Sequence, residues 1–271
     1  MINMEATVRI RKDLPSASII LDRVHCRNAL SKAMIGQIGQ ALDDFQQEKR
    51  VRAIVITGAG DFFSAGTDLL ELSRDMQDKD SNGFLPLAVM QKWHEDVVAM
   101  RQLLEMMLRL PKPIIAAVNG PALGFGAALV LACDFVMAGP NASLAWPETK
   151  WGLAPGLSAP LLSRRLGTRR AAGLLFAGQE VDTTAGIGLG LFDQVVADEI
   201  LWASTHELAK RCQGLSPSAV AITKRLLNET IDESIFSELS VGAANTAASR
   251  TTLDAIEGVE AFVEKRLPSW G

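Results

Sequence analysis

Two glycine-rich segments carry the residue types that could do chemistry. Phe63-Ser64-Ala65-Gly66-Thr67-Asp68-Leu69 follows the β-branched run Val51–Thr57 and the turn Gly58-Ala59-Gly60. Asn119-Gly120-Pro121-Ala122-Leu123-Gly124-Phe125-Gly126-Ala127-Ala128 follows a second apolar run, Ile114–Val118, and opens a helical pattern. Small residues let backbone approach a ligand closely and bare its peptide N–H groups. Free N–H groups at a helix start, at the positive end of the dipole, suit a developing oxyanion. Two such segments in one chain can form a two-donor oxyanion hole. The same pattern also serves two tight strand-to-helix turns, and spacing alone does not choose between them.

The elements that must position these segments follow from periodicity. Val51–Thr57 and Ile114–Val118 read as buried strands. Ala6–Arg11 and Ala17–Asp22 read as an edge hairpin with Pro15 in its turn. Ser31–Lys49 places Met34, Ile35, Ile38, Ala41, Leu42 and Phe45 at helical spacing, with Ser31 as N-cap. Val89–Leu110 is a second long helical pattern, ended by Pro111. Ser73–Pro86 is polar and aperiodic and reads as a long surface loop. Beyond residue 198 the pattern is helical only, over Asp198–Gln213, Pro217–Ile231, Glu233–Arg250 and Leu253–Leu267. Strands alternating with helices and then helices alone predict an α/β body over residues 1–197 and a helical part over 198–271.

Composition removes several classes of function. The 271 residues are 48% hydrophobic and 21% charged, an ordinary globular balance with room for a shaped pocket. A net charge of −4 argues against general nucleic-acid binding. Cys26, Cys133 and Cys212 are far apart and odd in number, which points to a reducing compartment, the cytoplasm, rather than a disulfide framework. No metal site is expected: His94-Glu95 starts a zincin-like motif, but Val98 stands where its second histidine belongs. The N-terminal residues carry scattered charge and do not resemble a secretory signal. The uncharged stretch Pro113–Cys133 is long enough to span a membrane, yet Asn119-Gly120-Pro121 breaks it. A dinucleotide fold is disfavoured because Phe63 replaces the third glycine after Gly58 and Gly60. A serine hydrolase is disfavoured because no G-x-S-x-G occurs.

The chain resembles the crotonase, or enoyl-CoA hydratase/isomerase, superfamily. The resemblance rests on Asn28-Ala29-Leu30, the Phe63–Leu69 segment, Lys112–Gly120, Leu123-Gly124-Phe125-Gly126, Leu131-Ala132-Cys133-Asp134, Pro147-Glu148 and Glu257–Arg266, in family order over nearly the whole chain. It implies an α/β fold: a crotonase-like ββα spiral body with a helical C-terminal trimerisation region, in homotrimers or dimers of trimers. It also implies an acyl-CoA thioester as substrate, with no tightly bound cofactor. By match, the thioester oxygen is held by the backbone N–H groups of Ala65 and Phe125.

The resemblance also places a catalytic carboxylate at Glu148. Hydratases of the family carry a second glutamate, which falls here on Ala128, and alanine accepts no proton. A single carboxylate suffices to move a proton from C2 to C4 of a 3-enoyl thioester while the two N–H groups hold the dienolate. The pattern is therefore closest to the Δ3,Δ2-enoyl-CoA isomerases. Enoyl-CoA hydratase, hydratase-lyase or hydrolase chemistry is the alternative, and a non-catalytic CoA-binding member a further one. The absence of tyrosine disfavours relatives that hold a phenolic substrate with that residue. The apolar neighbours Trp146, Pro147, Trp151 and Leu153 should raise the Glu148 pKa. The CoA cradle, by resemblance, is Arg27, Ala29, Ala65, Gly66, Asp68 and Leu69, with Phe262 and Lys265 matching a C-terminal pair that reaches CoA, often from the neighbouring subunit. Leu70 stands where some relatives have a basic residue, and His25 and Arg27 are available to compensate. Met76, Leu85, Leu87, Met90 and Trp93 are candidates to line an aliphatic acyl pocket or, equally, to pack under the loop.

Overall fold

The apolar runs lie side by side in one sheet. The computed structural model describes residues 7–76, 86–229 and 235–270. Its strands are β1 (Val8–Asp13), β2 (Ser16–Leu21), β3 (Ala53–Gly58), β4 (Ile114–Val118), β5 (Pro121–Leu123), β6 (Phe135–Ala138), β7 (Ser143–Ala145) and β8 (Gln194–Val195). Its helices are α1 (Lys32–Gln47), α2 (Leu69–Met76), α3 (Leu87–Arg109), α4 (Phe125–Leu131), α5 (Ser158–Leu166), α6 (Thr168–Ala177) and α7 (Thr183–Leu189), followed by α8 (Asp198–Gln213), α9 (Pro217–Glu229), α10 (Ile235–Ser249) and α11 (Leu253–Glu264).

The main sheet runs β1-β2-β3-β4-β6-β8. Only β1 and β2 are antiparallel; the remaining pairs are parallel. Strands β3 and β4 are continuously apolar because helices cover both faces of a parallel sheet. One face carries Ile54, Ile56, Ile114 and Ala116 into a core with α1, α3 and α4. The other carries Val55, Ile115 and Ala117 against Leu201, Ala209 and Cys212 of α8. The helices after residue 198 share these cores: Ile235, Leu239 and Ala243 of α10 are buried with the first.

Some boundaries moved. The helix read over Ser31–Lys49 begins as expected, with Ser31 as N-cap accepting from Met34 N at 3.2 Å, but ends at Gln47. Residues Ser73–Met76 are helical, not loop, because Asp68 caps α2 by accepting from Leu70 N and Glu71 N. The rest of that expected loop, 77–85, lies outside the described residues. A short second sheet, β5 paired in parallel with β7, stands apart from the main one. It has only three residues per strand, too few for periodicity to reveal. Among the described residues no helix is long and apolar enough to cross a membrane, and Pro113–Cys133 divides into β4, β5 and α4.

Candidate active site

The two glycine-rich segments are stitched together. Phe63 N and Ser64 N both donate to Pro121 O, and Leu123 N donates to Ser64 O at 2.9 Å. Asn28 holds the assembly from behind. Its fully buried amide donates to Ala59 O and Phe62 O, both at 2.8 Å, and its carbonyl accepts from Ser64 Oγ. Arg27 and Asn28 both adopt left-handed backbone, which turns the chain sharply beside this junction. Gly66 is required because a Cβ there would fall 2.6 Å from Leu123 O.

This packing decides which amides are free. Ala65 N, the expected first oxyanion donor, is occupied: it donates to Arg27 O at 2.8 Å. Gly66 N donates to Ser64 Oγ at 3.1 Å. Thr67 N is different. Thr67 bridges Leu30 in the parallel sense, so Leu30 N bonds to Gly66 O and Asp68 N to Leu30 O, and nothing among the described residues accepts from Thr67 N. Phe125 N is the other free amide, at the first turn of α4. The free amides facing the cleft are therefore those of Thr67 and Phe125, while the expected Ala65 amide is engaged within the chain. The matching motif marks the segment, but the hydrogen-bond register within it settles which N–H is bare. The Phe125 side chain packs into the core, so it does not obstruct its own amide.

Glu148 faces these amides from a 3-10 turn, Pro147–Trp151, that follows β7. Pro147 starts the turn and Gly152, at φ 67°, ends it. Helix α11 clamps the turn: a Cβ at Gly152 would strike Asp254 backbone, and one at Gly258 would strike Trp151 backbone. Phe262 meets the Trp151 ring edge-on at 5.2 Å between centroids. The Glu148 residue is half-buried, yet its Oε2 is sealed from solvent and has no hydrogen-bond partner. Burial raises its pKa to about 7, only partly offset by a hydrogen bond to its own backbone. A carboxyl with a pKa near 7 and one oxygen without a partner is poised to exchange a proton at physiological pH.

A cleft of about 520 Å³ joins these parts. Arg27, Ala29, Ala65, Gly66, Asp68 and Leu69 line it, with Phe125, Glu148 and Phe262. His25, Leu70 and Trp151 line it too. Asp68 is not free to act as a base, since it pairs with Arg23 at 2.8 Å and caps α2. Lys265 is not in the lining; it takes left-handed backbone and ends α11 with its amide donating to Phe262 O.

The expected acyl-pocket residues are not brought to the cleft. Met76 and Trp93 are buried with Leu72, Val89 and Val259, where they hold α2, α3 and α11 together. Leu87 is 70% exposed, Met90 is at the surface, and Leu85 lies outside the described residues. Behind Glu148 lies a small cavity of about 30 Å³. Thr67, Met100, Leu157, Thr246 and Arg250 line it together with Phe125 and Glu148. Residue type gave no warning of Arg250 except that one arginine ends the otherwise apolar and small run Val241–Ser249. Among the described residues no group of three or more His, Cys, Asp or Glu could hold a metal ion.

The model of the enoyl-CoA hydratase/isomerase family matches residues 16–271. A putative enoyl-CoA hydratase of Thermus thermophilus is 34% identical over 93% of this chain and 96% of its own length. A carnitinyl-CoA dehydratase of Citrobacter koseri is 32% identical over 98% of this chain and 99% of its own. The crystal structure of an enoyl-CoA hydratase/isomerase from Mycobacterium paratuberculosis superposes with a TM-score of 0.83, at 28% identity, over 95% of this chain and 99% of that one.

Proposed function

Because the chain belongs to the enoyl-CoA hydratase/isomerase family of the crotonase superfamily and is an enzyme of that type, we propose that it isomerises 3-enoyl-CoA thioesters to 2-enoyl-CoA with one carboxylate. The observation that carries this reading is the inventory of acids in the site. Among the described residues that line the cleft and the cavity behind it, the carboxylates are Asp68 and Glu148. Arg23 and the α2 amides consume Asp68, which leaves Glu148. Ala128 is fully buried in α4 and supplies nothing.

In this mechanism the thioester oxygen lies between Thr67 N and Phe125 N. The Glu148 carboxylate removes the proton from C2, and the electron pair moves into a dienolate whose oxygen the two amides hold. Each such donor contributes about 3 kcal/mol. The same carboxyl returns the proton at C4, so the double bond arrives in conjugation with the thioester and the enzyme is regenerated. His25 and Arg27 stand at the cleft where the CoA phosphates would lie. Lys265 lies outside the cleft of its own chain and serves CoA across a subunit boundary. Assembly as a homotrimer or a dimer of trimers is supported by apolar side chains left exposed on the C-terminal helices, Ile222 at 61% and Val241 at 63%. Three free, separated cysteines support a reducing compartment.

A paired assay tests the reaction. One cuvette contains a 3-enoyl-CoA and follows appearance of the conjugated thioester; the other contains a 2-enoyl-CoA and follows its loss on hydration. Gain in the first, little loss in the second and abolition by Glu148→Gln support the isomerase. Rapid loss in the second overturns it in favour of a hydratase.

A further inference from the structure

Arg250 is the one charged side chain in the cavity behind Glu148 that the proton shuttle does not use. It follows α10, and only 4% of it is exposed. Among the described residues, its guanidinium makes one hydrogen bond, from Nη2 to Met100 Sδ at 3.9 Å, a weak acceptor at long range. No carboxylate lies within ion-pair distance of it among the described residues. An adjoining small cavity that Arg250 also borders is lined by Asp68, Glu71, Asp75 and Asp96, and each is already engaged: Asp68 by Arg23, Glu71 by the Lys32 amide, and Asp75 and Asp96 by Lys32 at 3.3 and 2.8 Å, with Asp75 also by Lys92. A buried guanidinium with five donors and one soft contact is costly to keep unless something completes it.

What could complete it is decided by where it sits. Thr67, Phe125, Glu148 and Arg250 line the same small cavity. A thioester held at the Thr67 and Phe125 amides sends its acyl group past Glu148 and toward Arg250. We infer that Arg250 receives a distal carboxylate, so that the preferred substrate is a short acyl-CoA ending in a second acid group. The inference rests on the reading of the cleft as an acyl-CoA site. A planar guanidinium matches a carboxylate with two parallel charge-assisted bonds, which an aliphatic chain cannot offer. The cavity has room for little more than the terminal carboxylate itself, in place of one or two waters, so the rest of a short acyl group lies in the cleft and a longer tail has no room beside Leu157 and Thr246. Burial alone pulls the guanidinium down to about 10, with Asp96 and Asp75 opposing, so it remains cationic at neutral pH.

The test uses binding of saturated thioesters, which needs no turnover. Calorimetry compares succinyl-CoA with butyryl-CoA, which differ at the acyl end, on the wild type, Arg250→Met and Arg250→Lys. The wild type is expected to prefer succinyl-CoA by about tenfold or more. Arg250→Met should bring that ratio to about one, and Arg250→Lys, which keeps the charge but loses the fork, should retain part of it. Butyryl-CoA binding reports folding of each variant, and Arg250→Lys keeps the comparison alive if the methionine variant does not fold. A wild-type ratio near one, or a ratio unchanged in both variants, overturns the inference. So does failure of the wild type to bind either thioester, which overturns the acyl-CoA reading with it. A preference lost in the variants, in a protein that isomerises no 3-enoyl-CoA, leaves the Arg250 assignment standing and sinks the isomerase.

Discussion

Gly124 and Glu148 are in direct opposition: a Cβ on Gly124 would lie 2.9 Å from Glu148 Oε1 and 3.2 Å from its Cδ. Gly124 also holds φ at 51° and ψ at −120°, a region that L side chains avoid. The glycine therefore admits the carboxyl to the start of α4, next to the Phe125 amide. Gly124→Ala should strain the turn by about 1–3 kcal/mol and push the carboxyl off its position. We expect kcat to fall at least about 100-fold, because misplacing a reacting group costs that much, while the melting temperature falls by a few degrees. Near-wild-type kcat would show that the carboxyl does not depend on this contact.

The raised pKa of Glu148 has two consequences. A base must be ionised, so kcat/KM for a 3-enoyl-CoA should rise with pH through about 7 and then level off. Stability should move the other way. The folded value lies above the ordinary 4.5, so folding favours the protonated acid. The contribution is complete below about pH 4.5 and is lost as pH rises through 7, by roughly 3 kcal/mol in all. Glu148→Gln has no proton to lose. Denaturant unfolding of both proteins should therefore show the variant gaining on the wild type between pH 5 and 8. Parallel curves would mean the carboxyl is not buried in solution.

Lys224 and Asp134 join the C-terminal helices to the sheet. Lys224 is 6% exposed and donates to Asp134 Oδ2 at 2.6 Å, and that oxygen also accepts from Ile114 N at 2.8 Å. Lys224→Met removes the cation and leaves a carboxylate in a partly buried site. The expected loss is about 3–5 kcal/mol in unfolding free energy, with kcat unchanged because neither group reaches the cleft. Adding Asp134→Asn should recover part of it. A loss in kcat without a loss in stability would contradict a purely architectural role.

Much of this architecture was legible in the sequence. The strand Ile114–Val118 and the helix Asp198–Gln213 have the predicted bounds, because the first is an unbroken apolar run and the second a helical pattern, each with clear stops. Glu148 and the two glycine-rich segments stand together, and the apolar surroundings raise the glutamate as expected. The misses share a cause. Trp93 and Met76 are apolar residues near a presumed opening, but apolar character does not tell a pocket wall from a helix interface, and here the interface wins. Arg250 comes to Glu148 through the packing of α10 against α3 and α5, a long-range relation that leaves no local trace.

The choice between Ala65 and Thr67 is the most local of these corrections, and it is testable at single residues. The bare amide belongs to Thr67, while Ala65 N is spent on Arg27 O. Proline removes an N–H, so Thr67→Pro should lower kcat by about 10²–10³, the cost of one oxyanion donor. Thr67→Ala keeps the amide and should cost far less, which separates backbone from hydroxyl. Difference infrared spectra of a bound 2-enoyl-CoA supply a readout that loss of fold alone does not mimic. The thioester carbonyl stretch should be displaced to lower frequency in the wild type and in Thr67→Ala, and the displacement should shrink in Thr67→Pro even where the ligand still binds. If Thr67→Pro keeps both the shift and the rate, the donor lies elsewhere, and the Ala65 amide must be released from Arg27 when substrate arrives.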